Sequence, residues 1–103
     1  MIRGFKMKLL PGRAAEYERR HAAIWPEMKT MINACGGHDY SIFLDAKTGD
    51  LFASIDIEDE AKWTASAETE VCRRWWDYMS DIMVVNPDRS PVEEPLRMVF
   101  HMD

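Results

Sequence analysis

The chain has 103 residues, with 13 lysine or arginine and 18 aspartate or glutamate residues, which give a formal net charge of −5 at pH 7. This acidic balance argues against nucleic acid as a partner, because phosphate binding requires clustered lysine and arginine side chains. The length is that of a single domain over residues 1–103, and with no membrane-spanning apolar stretch and no signal-peptide pattern we expect a cytoplasmic protein.

The first part of the chain predicts a strand followed by a long, interrupted helix. Apolar and polar residues alternate over residues 2–10, and Pro11-Gly12 ends this strand. A helix is expected over residues 13–35, where Gly36-Gly37 stops it. Pro26 removes one backbone hydrogen bond, so we expect a kink or a restart of the helix at that point.

The rest of the chain predicts a hairpin, a broken helix and a last strand. Strands over 38–45 and 51–57 flank a turn at 46–50. The second helical region comes in two pieces, 60–66 and 70–83. Three prolines predict a loop over 86–95, and renewed alternation predicts a strand over 96–102. This order is the ferredoxin-like βαββαβ arrangement, an α+β fold with a four-stranded antiparallel sheet and two helices on one face.

The sheet face opposite the helices is expected to carry an apolar patch. Alternation places seven side chains there: Lys6, Ser41, Phe43, Phe52, Ser54, Val99 and His101. Exposed apolar patches often mark interaction sites, and two sheets packed face to face in a symmetric dimer would bury this one. A homodimer is therefore favoured over a monomer with a partly wetted sheet.

A histidine lies on the apolar stripe of the first helix. His21 comes four residues after Tyr17 and three before Ile24, so these side chains share one helical face. Imidazole is the side chain best suited to moving protons near neutral pH, which makes Tyr17 and His21 a candidate acid/base site. A hydrogen-bonded core histidine is the other explanation of the same pattern.

Three more aromatic side chains are expected close to His21. Alternation places Tyr40, together with His38, on the apolar face of the second strand, under the helices. Trp75 and Trp76 point about 100° apart on a helix, so one packs inward while the other borders an opening. Indole faces and hydroxyl donors suit a pocket for a neutral sugar, although each residue taken singly has an ordinary structural explanation.

Other chemistries have little support. The three histidines are far apart in sequence, so no metal site is expected. Gly36-Gly37 matches no nucleotide-binding motif. Cys35 and Cys72 fall on apolar stripes and are expected to be buried free thiols. Arg19-Arg20 is too short a basic group for nucleic-acid binding, and we expect it on a solvated helix face.

Several short motifs are spread over essentially the whole chain. They are Glu16-Tyr17, Arg19-Arg20-His21, Ile24-Trp25-Pro26-Glu27, residues 38–44 around Tyr40, Val71-Cys72-Arg73-Arg74-Trp75-Trp76, Asn86-Pro87-Asp88, Ser90-Pro91 and Val99-Phe100-His101. With these motifs the chain resembles the L-rhamnose mutarotase family. Some members have Asn-Pro after the histidine, where this chain has Ala22-Ala23.

The resemblance implies a homodimer of the dimeric α/β-barrel type and cofactor-free interconversion of the α and β anomers of L-rhamnose. The family's proton donor matches His21, and its substrate-contacting positions match Tyr17, Tyr40, Trp75 and Trp76. Ring opening needs one proton at the ring oxygen and the loss of another from the anomeric hydroxyl group, which is general acid/base chemistry. We expect His21 to donate toward the ring oxygen.

Three alternatives stay open at this point. The substrate of a mutarotase with this sequence can also be L-fucose or another 6-deoxyhexose. The same aromatic residues also suit a non-catalytic sugar-binding dimer, which would bind sugar without accelerating anomer exchange. Small oxygenases and haem-degrading proteins share the ferredoxin-like dimer, but this is an analogy at the level of the fold alone.

Overall fold

The computed structural model describes all 103 residues, which form a four-stranded antiparallel sheet and four α-helices. The strands are β1 (Ile2–Lys8), β2 (Gly37–Asp45), β3 (Asp50–Ile57) and β4 (Glu94–Leu96). The helices are α1 (Ala14–Ala22), α2 (Pro26–Ala34), α3 (Glu60–Thr64) and α4 (Glu70–Met79), and a 3-10 turn (Ala65–Glu68) joins α3 to α4. The strand order β2-β3-β1-β4 confirms the predicted ferredoxin-like α+β fold. No helix has the length and apolar character needed to cross a bilayer.

The predicted long helix is interrupted at its proline. α1 ends at Ala22, and α2 begins at Pro26 after an extended Trp25. Proline suits this first helical position, because its φ is already helical and its missing N–H would have no partner there. The expected restart of the helix at Pro26 is confirmed.

The core lies between the helices and the two central strands, β1 and β3. Every second residue of β3 is 4% exposed or less: Leu51, Ala53, Ile55 and Ile57. In register with them, β1 places Phe5 opposite Ala53 and Met7 opposite Leu51. α4 adds the buried side chains of Cys72, Trp75 and Met79.

The last strand differs from the prediction. β4 covers Glu94–Leu96, at the end of the predicted loop, and it pairs with β1 from Gly4 to Lys6. Residues 97–102, predicted as the strand, have no partner in the sheet. Val99 is 84% exposed there and lies outside the sheet, as does His101. The prediction was wrong because alternation shows the two faces of a strand but not which neighbour accepts its hydrogen bonds.

Arg20 is buried, whereas the sequence predicted it on a solvated helix face. Its guanidinium group donates to the carboxylates of Glu16 at 2.7 Å and Asp81 at 2.9 Å, and to the backbone oxygen of Tyr78 at 2.8 Å. These bonds satisfy the buried charge and tie α1 to the segment that ends α4. Only Arg19, which is paired with Glu16, is exposed as expected.

Candidate active site

A cavity of about 910 Å³ opens between the helices and the sheet. This volume lies within the range of small-molecule pockets, roughly 300–1,000 Å³. Hydrophobic side chains make up 16 of its 25 lining residues, and the others, apart from Gly37 and Pro91, carry polar or charged side chains that can orient a ligand. All five residues predicted to form a site line this cavity: Tyr17, His21, Tyr40, Trp75 and Trp76. They come from α1, β2 and α4, and the fold brings them together.

His21 is anchored by its own helix. Its Nδ1 lies 3.1 Å from the backbone oxygen of Tyr17, and because a carbonyl group only accepts, Nδ1 carries the hydrogen and donates it. Nε2 is therefore the ring nitrogen left to exchange a proton with a ligand. The imidazole stacks on the Tyr17 ring at 4.2 Å and meets the edge of Trp75 at 5.4 Å. Burial among these rings lowers the pKa of His21, since it disfavours the imidazolium ion.

Tyr17 and Tyr40 bring two phenol hydroxyl groups to the cavity. Neither group makes a hydrogen bond within the chain, and both residues line the cavity. Loss of hydration raises the pKa of both phenols above the ordinary value for tyrosine. Both therefore stay protonated at neutral pH and can donate a hydrogen bond as well as accept one.

A β-bulge sets the position of Tyr40. Between His38 and Ser41 the register with β3 shifts, so that β2 holds one extra residue. Asp39 lies in this bulge with a φ of 49°, in the left-handed region that aspartate tolerates better than most residues. Bulges re-aim side chains, and here Tyr40 follows directly, with its ring 6.2 Å from that of Phe5.

The bulge also moves His38 away from the face on which it was predicted. His38 is in register with Asp56, which alternates with the buried residues of β3, because the extra residue reverses the parity of the strand. Its Nε2 lies 2.5 Å from a carboxylate oxygen of Glu58. Although His38 borders the cavity, this imidazole is engaged by Glu58, and the predicted grouping with Tyr40 was wrong.

The consecutive indoles divide between core and cavity wall, as their angular separation predicts. Trp75 is 6% exposed and packs edge-on against Trp25 at 5.0 Å. Trp76 is half-buried, and the guanidinium group of Arg73 lies 5.5 Å from its ring. Trp75 thus forms the floor behind His21, and Trp76 offers a flat apolar surface to a ligand.

Three acidic residues of the cavity wall were not singled out from the sequence, and one of them, Glu18, lies on α1. Asp39 lines the cavity from the bulge, and Glu93 lines it from the loop before β4. Glu93 is placed by the pairing of its neighbour Glu94 with Lys6, a contact between residues far apart in sequence. Strand parity around Glu94 predicts that Glu93 points toward the cavity only when the register of β4 is known.

The cysteines and the other possible metal-binding residues form no second reactive or metal-binding site. Cys35 and Cys72 are free thiols, with Cys72 buried and Cys35 half-buried. Burial raises the pKa of Cys72 to about 11, which keeps the thiol protonated and a poor nucleophile. No group of three or more histidine, cysteine, aspartate or glutamate residues is arranged to hold a metal ion.

Comparisons with known proteins agree on one family. A family model described as L-rhamnose mutarotase matches residues 3–102. The L-rhamnose mutarotase of Lachnoclostridium phytofermentans is 55% identical over 104 residues, which cover 100% of both chains. That of Bacteroides thetaiotaomicron is 56% identical over 99 residues, 96% of this chain and 95% of the relative.

Solved structures give the same result. The crystal structure of an L-rhamnose mutarotase from Formosa agariphila is 43% identical to this chain, with a TM-score of 0.92, and the match covers 100% of this chain and 99% of the other. An antibiotic biosynthesis monooxygenase of known structure has a TM-score of 0.64 at 13% identity, covering 96% of this chain and 99% of that chain. This second likeness shows the fold alone.

Proposed function

The chain belongs to the L-rhamnose mutarotase family, and from this premise we propose that its cavity binds L-rhamnose and that His21 transfers the proton that opens the sugar ring. The activity is an isomerisation, the interconversion of the α and β anomers of L-rhamnose. The observation that carries the site assignment is the anchored imidazole of His21, which lines the cavity beside two unbonded phenol groups.

Anomer exchange proceeds through the open-chain aldehyde. The ring oxygen gains a proton, the anomeric hydroxyl group loses one, and the bond between the anomeric carbon and the ring oxygen breaks. Rotation about the first carbon–carbon bond then presents the other face of the aldehyde for closure. Such a cycle requires proton transfer in both directions and consumes no other reactant.

His21 is suited to the proton transfer at the ring oxygen. In its charged form the hydrogen on Nδ1 stays bound to the Tyr17 oxygen, and the hydrogen on Nε2 is the one donated. A lowered pKa makes the imidazolium ion a stronger acid, although a smaller fraction of it is present at neutral pH. After ring opening, the neutral Nε2 takes the proton back when the ring closes.

The remaining four residues bind and orient the sugar. The hydroxyl groups of Tyr17 and Tyr40 hold sugar hydroxyl groups, and the raised pKa of both phenols keeps them as donors. Trp75 and Trp76 pack against the carbon–hydrogen faces of the ring and its methyl group, as flat aromatic surfaces do. Binding by neutral donors and aromatic faces suits a neutral sugar.

The exchange rate between the anomeric proton signals, measured by NMR, tests the proposal. His21→Ala is expected to lower the enzyme-dependent rate by about 10²–10⁴-fold while the circular dichroism spectrum stays that of the wild type. His38→Ala is the matched control, since this imidazole is bound to Glu58. Wild-type exchange in His21→Ala would remove His21 from the mechanism. A panel that adds L-fucose and other 6-deoxyhexoses ranks the substrates.

We also propose a homodimer through the outer face of the sheet. Phe43 and Phe52 are 67% and 39% exposed and lie directly opposite each other on this face. The unpaired residues after β4 add exposed apolar side chains: Val99, Phe100 and Met102. Light scattering is expected to give twice the chain mass for the wild type and one chain mass for Phe43→Glu. A wild-type monomer at micromolar concentration would contradict the dimer.

A cytoplasmic location is proposed as well. It is supported by two cysteines that are free rather than joined in a disulfide. Free thiols are typical of reducing compartments. Fractionation of cells that express the chain at native level tests this, and recovery from the periplasmic or extracellular fraction would contradict it.

A further inference from the structure

Glu93 is one of three acidic residues of the cavity wall that the mechanism above leaves unused, together with Glu18 and Asp39. It lines the same cavity as His21 and the four sugar-binding residues. Its negative charge helps to raise the pKa of Tyr40, which places the carboxylate within electrostatic reach of that phenol. Glu93 therefore borders the sugar-binding part of the cavity.

The neighbouring strand explains why this side chain turns inward. Glu94 is in register with Lys6 and forms an ion pair with it at 3.4 Å. Lys6 also lies opposite Phe52, so this pair is on the outer face of the sheet. Side chains alternate along an extended chain, and Glu93 accordingly points to the helix-covered face.

Glu93 also has no partner of its own within the chain. Glu94 is paired with Lys6, and the cation that acts on Glu93, Arg3, is hydrogen-bonded to Glu60. Partial dehydration in the cavity raises the pKa of Glu93, as expected for a carboxylate whose hydrogen bonds to water are not fully replaced. An unpartnered acceptor that faces a ligand cavity is available to the ligand.

We propose that Glu93 is a substrate-binding residue, whose carboxylate accepts hydrogen bonds from ring hydroxyl groups of the sugar. The inference rests on the proposed function of the cavity. A sugar that enters a mostly apolar cavity loses hydrogen bonds to water, and each hydroxyl group left unpaired weakens its binding. An ionised carboxylate only accepts, so it complements the donating phenols of Tyr17 and Tyr40, and its two oxygens can hold adjacent hydroxyl groups.

The test compares two neighbouring glutamates by initial rates of optical rotation change with freshly dissolved α-L-rhamnose. Glu93→Gln is expected to raise KM about tenfold or more, the effect of losing hydrogen bonds to a charged group, while kcat stays within about threefold. Glu93→Asp is expected to fall between Glu93→Gln and the wild type. Glu94→Gln is the matched control and is expected to keep both constants, because it lies on the outer face.

Binding to an inactive background separates this inference from the proposed function. In His21→Ala, the dissociation constant for L-rhamnose is expected to rise about tenfold on adding Glu93→Gln and to stay unchanged on adding Glu94→Gln. Equal constants in all variants would overturn the role of Glu93. A kcat loss at unchanged KM would overturn it in favour of proton transfer. A wild type that binds L-rhamnose without accelerating its anomer exchange would overturn the proposed function but not the binding role.

Discussion

β2 and β3 are neighbours in one sheet, yet the helices cover them differently. On β3 the inward residues Leu51 and Ile55 are 0% exposed, whereas on β2 Tyr40 and Leu44 are 37% and 38% exposed. The buried core is built on β1 and β3, and the inner face of β2 borders the cavity. The same alternation of apolar residues thus gives a core on one strand and the wall of a cavity on the next.

Truncating one isoleucine on each strand tests this difference most strongly. Ile55→Ala is expected to lower the free energy of unfolding by about 2–5 kcal/mol, because it leaves a cavity in a close-packed core. Ile42→Ala, on the cavity side of β2, is expected to cost much less, because its side chain is already half-exposed. Urea unfolding followed by circular dichroism measures both. Equal losses would show that β2 is as closely packed as β3.

The close packing of the core extends to the start of β2, where Gly37 has no room for a side chain. A Cβ atom added to Gly37 would lie 2.8 Å from the Trp63 ring and 3.0 Å from the Ile55 side chain. Gly37→Ala is therefore expected to destabilise the chain by about 1–3 kcal/mol, the usual cost of overpacking. Gly4→Ala is the control, because its nearest contacts of 3.6 and 3.7 Å are ordinary. An unchanged free energy of unfolding in Gly37→Ala would mean that the residues around this end of β2 shift to accommodate the added methyl group.

The features of the cavity wall that depend on local spacing along a helix could be predicted from the sequence. The i, i+4 spacing placed Tyr17 and His21 together, and the structure has them stacked at 4.2 Å. The angle between consecutive helical residues predicted the different exposure of Trp75 and Trp76. These relations follow from helix geometry alone and need no knowledge of the rest of the chain.

The features that depend on long-range pairing could not be predicted. The bulge at Asp39 changed the face of His38, and alternation gives no sign of one extra residue until the partner strand is known. The position of β4 depends on its pairing with β1, which is about 90 residues away in sequence. The position of Glu93 in the cavity depends on the same pairing. The sequence pattern therefore predicted that Tyr17 and His21 lie together, but it did not predict the whole cavity wall.

His21, which lines the open cavity, is expected to make the rate of anomer exchange depend on pH. Because the pKa of His21 is lowered, the imidazolium fraction falls about tenfold per pH unit above pH ~6.5. With His21 as the donor, the enzyme-dependent exchange rate is expected to fall in the same way between about pH 6.5 and 8.5. Exchange measured at each pH, with the rates of buffer alone and of His21→Ala subtracted, checks this. A rate that rises with pH would assign the reaction to the neutral imidazole.

The lowered pKa of His21 also acts on folding. The folded chain binds this proton more weakly than the unfolded chain, so the contribution of His21 to stability is present above about pH 6.5 and is lost as the pH falls below it. Rates at the acid end of the profile are therefore meaningful only where circular dichroism shows a folded chain. The same linkage predicts that His21→Ala weakens this loss of stability at acid pH.

The smallest expected effect distinguishes a hydroxyl group that serves the ligand from one that serves the fold. Tyr40→Phe removes a hydroxyl group with no hydrogen bond in the chain, so the free energy of unfolding is expected to stay the same. Catalytic efficiency, kcat/KM, is expected to fall by about 2–12-fold, the equivalent of one hydrogen bond worth about 0.5–1.5 kcal/mol. Tyr78→Phe makes the same chemical change on a ring that packs on Trp25 outside the cavity lining, and it is expected to keep wild-type kinetics. Unchanged kinetics in Tyr40→Phe would show that the Tyr40 hydroxyl group makes no hydrogen bond to the substrate. The β2 side of the cavity would then contact the substrate only through apolar groups.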